Sequence, residues 1–452
     1  MKPEQPEEKE PQAQGGYGGV WRRMRRNAAM LLGGRAVFGL VNLAAAAIAV
    51  RAVGFEAFGV VILLQAYVRL IGGLLKFQSW ATVTKFGAEA LAAGRDEDFR
   101  RVVGFTIRLD IIGLFVSIGV GLAAAPLIGR WLDWPPEAMA LAPWFVLTIP
   151  FITSATPTGV LRLFDRFAVL VRQHALNAVL RFIGAAGVYW LGGGLEELIV
   201  VWILASFLSG FQLMLAAAGE LRRRRLAPRL AARWSELTRG FPRIWRFVIV
   251  LNATSLMDTI LTHATVLVVG GMLGPVAAGL YGVVRQMTES LTRVSSLLGP
   301  IIFPEFAWLE AQGDRRTILR LLVRTLTMAG AGLLVFCLAL LLGGEALLTA
   351  LFGAEAAAAS ALLIAAGTAA GLMALGFAVE PVMLTIRKEK ALLFSAVIST
   401  AIFCAALWFF IQWWGLVGAG LALLLRQAIV LVHRLAVLYR TLVLKPARAG
   451  LK

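Results

Sequence analysis

Charge is scarce in this chain: 15% of its 452 residues are Asp, Glu, Lys or Arg, well below the share a soluble domain carries. Cysteine is nearly absent. Cys337 and Cys404 both sit in apolar runs, so they read as packed core thiols and leave no disulfide framework. Histidine is equally sparse, and His174, His263 and His433 lie far apart with no metal-ligand spacing. No nucleotide-binding motif is present. Long polar connections on one side of the membrane are missing too. Segments 55–56, 130–137, 192–194, 273–275, 343–355 and 415 are too short to fold into a catalytic domain, which argues against a polysaccharide polymerase or ligase.

What fills the chain is apolar: 59% of it is hydrophobic and its mean hydropathy is +0.79. It reads as an all-α polytopic membrane protein. A net charge of +18 suggests nucleic acid at first sight. The positions exclude it, because outside the apolar runs every Lys and Arg except Arg130 falls in segments facing one side, as the positive-inside rule requires. Residues 1–27 form a Pro- and Glu-rich tail, expected to be disordered, that ends in Arg22, Arg23, Arg25 and Arg26. The apolar run that follows is too long for a cleaved signal.

Six spans are expected over 28–53, 57–80, 102–129, 139–161, 168–191 and 195–218, giving an N-lobe at 28–219. A basic cytoplasmic linker at 220–243 carries eight arginines. Six more spans at 244–272, 277–303, 317–342, 356–379, 391–413 and 416–438 make a C-lobe at 244–440, and 441–452 is a second cytoplasmic tail. Twelve spans put both termini on one side, and the basic loops make that side the cytoplasm.

The two halves repeat. Gly54-Phe55-Glu56-Ala57-Phe58-Gly59 aligns without a gap on Gly274-Pro275-Val276-Ala277-Ala278-Gly279, and Gly194-Leu195 echoes Gly415-Leu416. An even number of spans per unit gives both halves one topology, related by a pseudo-two-fold axis along the membrane normal, with the substrate between them.

Charges within the spans carry the functional signal. An Arg or Asp at the centre of a lipid-facing helix costs about 2.5 to 3.5 kcal/mol on insertion scales, so such groups must line a wet cavity, pair, or snorkel. Lys76, Arg108, Arg172, Arg246, Arg324 and Arg434 lie near cytoplasmic ends and are expected to snorkel, and Arg51 does the same outward. The deeper set is the candidate substrate cavity: Arg35, Asn42, Gln65, Arg69, Asn177, Arg181, Asn252, Arg285, Glu289, Arg293 and Arg426. Arg285, Glu289 and Arg293 recur at i, i+4 and i+8, on one helix face. His263 reads as a packing residue. The deep acids read as Asp258 and Glu289, and both are candidates for ion coupling. Arginine outnumbers them, so the pocket suits an anionic group whose oxygens match guanidinium forks.

In this context the chain resembles the multidrug/oligosaccharidyl-lipid/polysaccharide flippase superfamily, and within it the bacterial O-antigen and exopolysaccharide flippases. The resemblance rests on the six-plus-six layout and the Leu273-Gly274-Pro275 … Gly279-Leu280-Tyr281 turn with its first-half echo. Gly87-Ala88-Glu89 and Gly159-Val160-Leu161-Arg162 … Asp165-Arg166-Phe167 add to it. It implies flipping of an undecaprenyl-pyrophosphate-linked oligosaccharide by alternating access, for surface polysaccharides such as lipopolysaccharide. No enzymatic step or cofactor is implied, and the drive is Na⁺, H⁺ or the membrane potential alone. By likeness to lipid II flippases, arginines on the first, second and eighth spans hold the pyrophosphate, here Arg35, Arg69 and Arg285. Twelve spans rather than fourteen, and Phe55 where the family usually has proline, depart from that pattern.

The expected partners are the lipid-linked oligosaccharide, membrane lipids and other polysaccharide-assembly proteins, with the chain itself a monomer. Two rivals remain: a multidrug and toxin extrusion exporter, and a non-transporting membrane partner or enzyme of polysaccharide assembly.

Overall fold

A computed structural model describes residues 17–74, 76–131, 134–230, 232–295, 306, 309–310, 312 and 314–444, with the side chains of 17–36, 253–254, 257–258, 290–295 and 444 excepted. The tail at 1–16 and the side chains of Arg35, Asp258 and Arg293 therefore lie outside the described residues. Every regular element among the described residues is helical. Helix α1 (Tyr17–Leu74) begins eleven residues before the expected start of the first span, because Trp21 to Arg26 continue the helix without a breaker.

Helix α1 is a hairpin. At Gly54 the backbone takes φ 78° and ψ 170°, a region open essentially to glycine alone. If the helix ran straight through, Phe38 and Arg69 would stand about 46 Å apart at 1.5 Å per residue. Instead they line one cavity, so the limbs 17–53 and 55–74 fold back on each other.

After a break at 76–78 the chain runs through α2 (Ser79–Thr82), a π-helical turn and α3 (Ala88–Ala92) to the long α4 (Asp96–Trp131). The expected fourth span is not continuous. It is split into α5 (Pro136–Val146), α6 (Ile149–Ile152) and α7 (Ala155–Leu163), with a 62° bend, since Pro143 and Pro150 each remove a helix donor. Helices α8 (Phe167–Leu191) and α9 (Leu195–Arg223) complete the first half.

The short α10 (Trp234–Leu237) lies in the linker, and α11 (Ile244–Ser295) repeats the hairpin with Gly274 at φ 85° and ψ 176°. Helix α12 (Arg315–Phe352) is capped by Asp314, which accepts from the Thr317 amide at 3.0 Å and hydroxyl at 2.6 Å; these bonds hold its carboxyl below the usual carboxylate range. The outward loop expected over 343–355 is mostly helix, and only Gly353 turns. Helices α13 (Ser360–Leu375), α14 (Val379–Thr385), α15 (Glu389–Trp414) and α16 (Leu416–Tyr439) follow.

Eight helices among the described residues are long and apolar enough to cross a membrane, nine with the bent pair, and two of the eight are the hairpins. Helix α8 is left out of that tally by its own polar stripe. Trp131, Trp190, Trp413 and Trp414 are exposed at the ends of α4, α8 and α15, as an interfacial aromatic belt requires.

The two hairpins pack on each other, and they do so reciprocally. A methyl group at Gly59 would collide with the Pro275 carbonyl, and one at Gly279 would lie 2.9 Å from the Phe55 carbonyl oxygen. The two contacts exchange residues 220 positions apart, the offset of the sequence repeat. Next to them Tyr67, fully buried, donates to the Gly121 carbonyl at 2.5 Å and meets Trp134 edge-on at 5.4 Å.

The basic linker is strapped to α4. The Arg229 amide donates to the Arg100 carbonyl at 3.2 Å, Arg229 pairs with Glu97 at 2.7 Å, and Arg108 donates to the Leu230 carbonyl and stacks on Trp234. Ile244 and Val248, placed by sequence in the C-lobe, are buried in the same apolar cluster as Phe99, Phe105 and Leu237. The N-terminal end of α11 thus packs with the first half.

Gly54 and Gly274 have open space around the position of a Cβ, so a substitution there acts through the backbone alone. Gly54→Ala and Gly274→Ala should each destabilise the protein by about 1 to 3 kcal/mol. Thermal unfolding in detergent should show both variants melting below wild type by similar amounts, and an unshifted Gly274→Ala would remove the turn argument.

Candidate functional site

The limbs of both hairpins meet α6, α8 and α9 around a cavity of about 650 Å³. Residues equidistant from each glycine turn share it. Phe38 and Arg69 flank Gly54, while His263 and Arg285 flank Gly274, which explains how two distant stretches of sequence reach one space. Of the expected site residues, Asn42, Gln65, Arg69, Asn177, Arg181, Arg285 and Glu289 line it together.

Arg285 is held firmly. Its Nε donates to Glu289 at 2.5 Å and a terminal nitrogen donates to the Thr262 carbonyl at 2.9 Å, so those two bonds use two of its five N–H groups. Arg181 lies over the Trp202 ring, 5.3 Å from its centroid, and its Nε is buried without a hydrogen-bond partner among the described residues. Arg69 enters from the opposite hairpin and is exposed to the cavity. Three guanidinium groups and one carboxylate, itself bonded to Arg285, give this cavity a cationic balance.

Two expected members lie elsewhere. Asn252 accepts from the Gln78 amide at 3.1 Å while the Gln78 side chain donates to Ser255, so this pair ties the break after α1 to α11 below the cavity. Arg426 is not among the lining residues. Others were missed. Gln173, His174, Ser206, Ser209, His263 and Gln286 all line the cavity. The signal for Gln173 and His174 was their spacing of three to four residues from Asn177.

A second, smaller cavity of about 240 Å³ corrects two further expectations. Lys76 does not snorkel to lipid but lines this space with Asp110, a third deep acid that the charge count passed over. Asp110 accepts from the Ser79 hydroxyl at 2.5 Å and from the Thr156 amide at 2.9 Å. It therefore pins the first turns of α2 and α7, two helices that start at breaks. Arg434 likewise pairs with Glu380 at 3.1 Å, and Arg51 donates to the Ala350 carbonyl at 2.6 Å. Both are bonded within the protein because a nearby acceptor offers more than a lipid headgroup at longer reach. Arg172, Arg246 and Arg324 are exposed as expected.

At the end of α9, Glu220 binds Arg166 at 3.1 Å, Arg223 at 3.0 Å and Arg224 at 2.7 Å, so the Asp165-Arg166-Phe167 motif is part of the scaffold. Among the described residues no three His, Cys, Asp or Glu side chains form a metal-binding group.

Paired helical hairpins enclosing a polar cavity within an all-helical bundle are a fold this chain shares with solved transporters of the multidrug/oligosaccharidyl-lipid/polysaccharide superfamily. The chain is similar in fold to an inward-facing multidrug resistance MATE family transporter, with a TM-score of 0.68 and 15% identity over 89% of this chain and 96% of that one. It is also similar to the lipid II flippase MurJ in an inward closed conformation, with a TM-score of 0.68 and 12% identity over 90% and 87% of the two chains. These are folds of transporters and flippases rather than of enzymes.

Residues 95–361 match the polysaccharide biosynthesis protein family, and the chain belongs to it. A relative from Escherichia coli (strain K12), the inner membrane protein YghQ, is 30% identical over 337 residues, 75% of this chain and 94% of the relative.

The Asp110 pin makes a direct prediction. Asp110→Asn keeps the shape but loses the charge on two hydrogen bonds and leaves Lys76 without its acid, so stability should fall by about 1.5 to 3 kcal/mol. Lys76→Met alone should be milder, and in the Lys76→Met background Asp110→Asn should cost less. Equal effects in both backgrounds, read by thermal unfolding, would dismiss the pairing.

Proposed function

We propose that the protein flips an undecaprenyl-pyrophosphate-linked oligosaccharide from the cytoplasmic to the outer leaflet of the inner membrane, for surface polysaccharide assembly. The observation that carries this reading is the convergence of Arg69, Arg181 and Arg285 on one cavity whose one lining carboxylate among the described residues, Glu289, is bonded to Arg285. Guanidinium forks match a pyrophosphate, and the amide and hydroxyl groups match sugars. Membership in the polysaccharide biosynthesis family and the fold shared with a lipid II flippase support it.

The two halves rock about the hairpin contact and expose the cavity first to the cytoplasm and then outward. The polyprenyl tail stays in lipid through a lateral gap. Moving an anion out of a negative-inside cell is favourable by about 2.3 kcal/mol per charge per 100 mV, so the potential alone suffices for a pyrophosphate. Should an ion be coupled, Asp258 and Glu289 are its carriers. Both termini face the cytoplasm, the chain acts as a monomer, and Arg35 and Arg293 stay candidate substrate contacts by sequence.

A drug-cation exporter shares the fold. It needs the opposite sign of cavity, and the Glu289 carboxylate is committed to Arg285.

Deleting the gene should cause lipid-linked oligosaccharide to accumulate in the inner leaflet. Wild type should restore export, and Arg285→Ala at equal protein level should not. Full rescue by Arg285→Ala would end the cavity hypothesis. An Arg69→Lys variant that retains full activity would show that charge suffices there without bidentate geometry.

A further inference from the structure

One wall of the main cavity differs in chemistry from the rest. From Arg181 the face of α8 continues through Asn177 to His174 and Gln173, about 12 Å along the helix axis toward the end at Phe167, where the basic loops lie. Across from it α9 presents Ser206 and Ser209, and Phe151 of α6 adds an aromatic surface. No Lys, Arg, Asp or Glu interrupts α8 between Arg172, which is exposed, and Arg181.

The strip is built rather than incidental. The Asn177 amide donates to the Ser209 hydroxyl at 3.1 Å, Ser209 donates to the Ser206 carbonyl at 3.2 Å, and the Ser206 hydroxyl donates to the Trp202 carbonyl at 2.9 Å. This chain fixes the orientation of the Asn177 amide and leaves its carbonyl side for a ligand.

We infer that this strip, Gln173, His174 and Asn177 on α8 with Ser206 and Ser209 on α9, is the saccharide-reading subsite of the cavity, separate from the arginines that hold the pyrophosphate. The inference rests on the proposed function. Neutral donors and acceptors beside an aromatic face are the chemistry that recognises uncharged sugar hydroxyls and acetamido groups. The division also follows from the electrostatics. The arginines attract any pyrophosphate, so they confer no choice among sugars. A group built to hydrogen-bond a hydroxyl is left unpaired by the wrong sugar, and discrimination arises there. The strip lies on the side of the arginines toward the basic loops, so a lipid-linked sugar held by its pyrophosphate at the arginines extends its glycan along α8.

The test compares two probes on purified protein: the lipid-linked oligosaccharide extracted from the deletion strain, and undecaprenyl pyrophosphate without sugar. Wild type should bind the first at least roughly tenfold more tightly, the value of one or two hydrogen bonds to a polar ligand. Asn177→Leu and Gln173→Leu should each lose most of that preference while binding undecaprenyl pyrophosphate as wild type does, and this unchanged binding reports that the variant is folded. Arg285→Ala should weaken both probes alike. If the α8 variants keep the full preference for the glycosylated probe, the subsite assignment is overturned. If wild type binds neither probe, the proposed function fails instead.

Discussion

The reciprocal contact of Gly59 with the Pro275 carbonyl and of Gly279 with the Phe55 carbonyl sets the geometry of everything below it. Two hairpins can approach this closely only where no Cβ intervenes, and their turns can reverse only where glycine admits the positive φ. With the hairpin tips locked together, the limbs diverge away from the contact. The polar residues one to three turns below the contact, Gln65 and Arg69 on one side and Arg285 and Glu289 on the other, then face a common space instead of lipid. Close packing at the tips and openness below are one feature.

That arrangement answers the electrostatic problem of the chain. A charge in hydrocarbon is costly, and the protein meets the cost in two ways. Structural charges are neutralised in place: Asp110 between two helix starts and Lys76, Glu220 among three arginines, Arg434 on Glu380. Two of the cavity arginines are left with unused donors. Arg285 is oriented by Glu289 and Thr262 yet keeps N–H groups beyond those bonds, and Arg181 has an orphan Nε. The difference separates scaffold from site better than depth in the membrane does, and depth was the criterion that misplaced Lys76.

Much of the site was legible because the hairpins are duplicated in sequence. The repeat at Gly54 and Gly274 located the turns, and polar residues counted along each limb located the cavity face. Phe55 in place of proline proved immaterial, since the turn depends on the glycine φ. The parts that escaped are those set by contacts distant in the chain. Asn252 shares a helix face with true cavity residues, but the break at 76–78 brings Gln78 against it. Gln173 and His174 directly follow Arg172, which the sequence places near a cytoplasmic end, and so were not counted with the deep set. The arginines of 220–243 read as a membrane-orientation signal, whereas their backbone is strapped to α4 through the Arg100 carbonyl.

The strap bears on how the halves can move. Because Phe241, Ile244 and Val248 are buried with α4 residues, the chain from 220 to the first turns of α11 travels with the first half. The tip of the same helix, around Gly274, is committed to the hairpin contact. The rocking motion proposed above would therefore be absorbed within α11 between these anchors, over the stretch that carries Asn252, Ser255 and Asp258. The Gln78 bonds to Asn252 and Ser255 fall in that interval, so releasing them and flexing α11 become one step. Opening in the proposed cycle is thereby tied to the break that follows the second limb of α1, the limb that delivers Arg69 to the cavity.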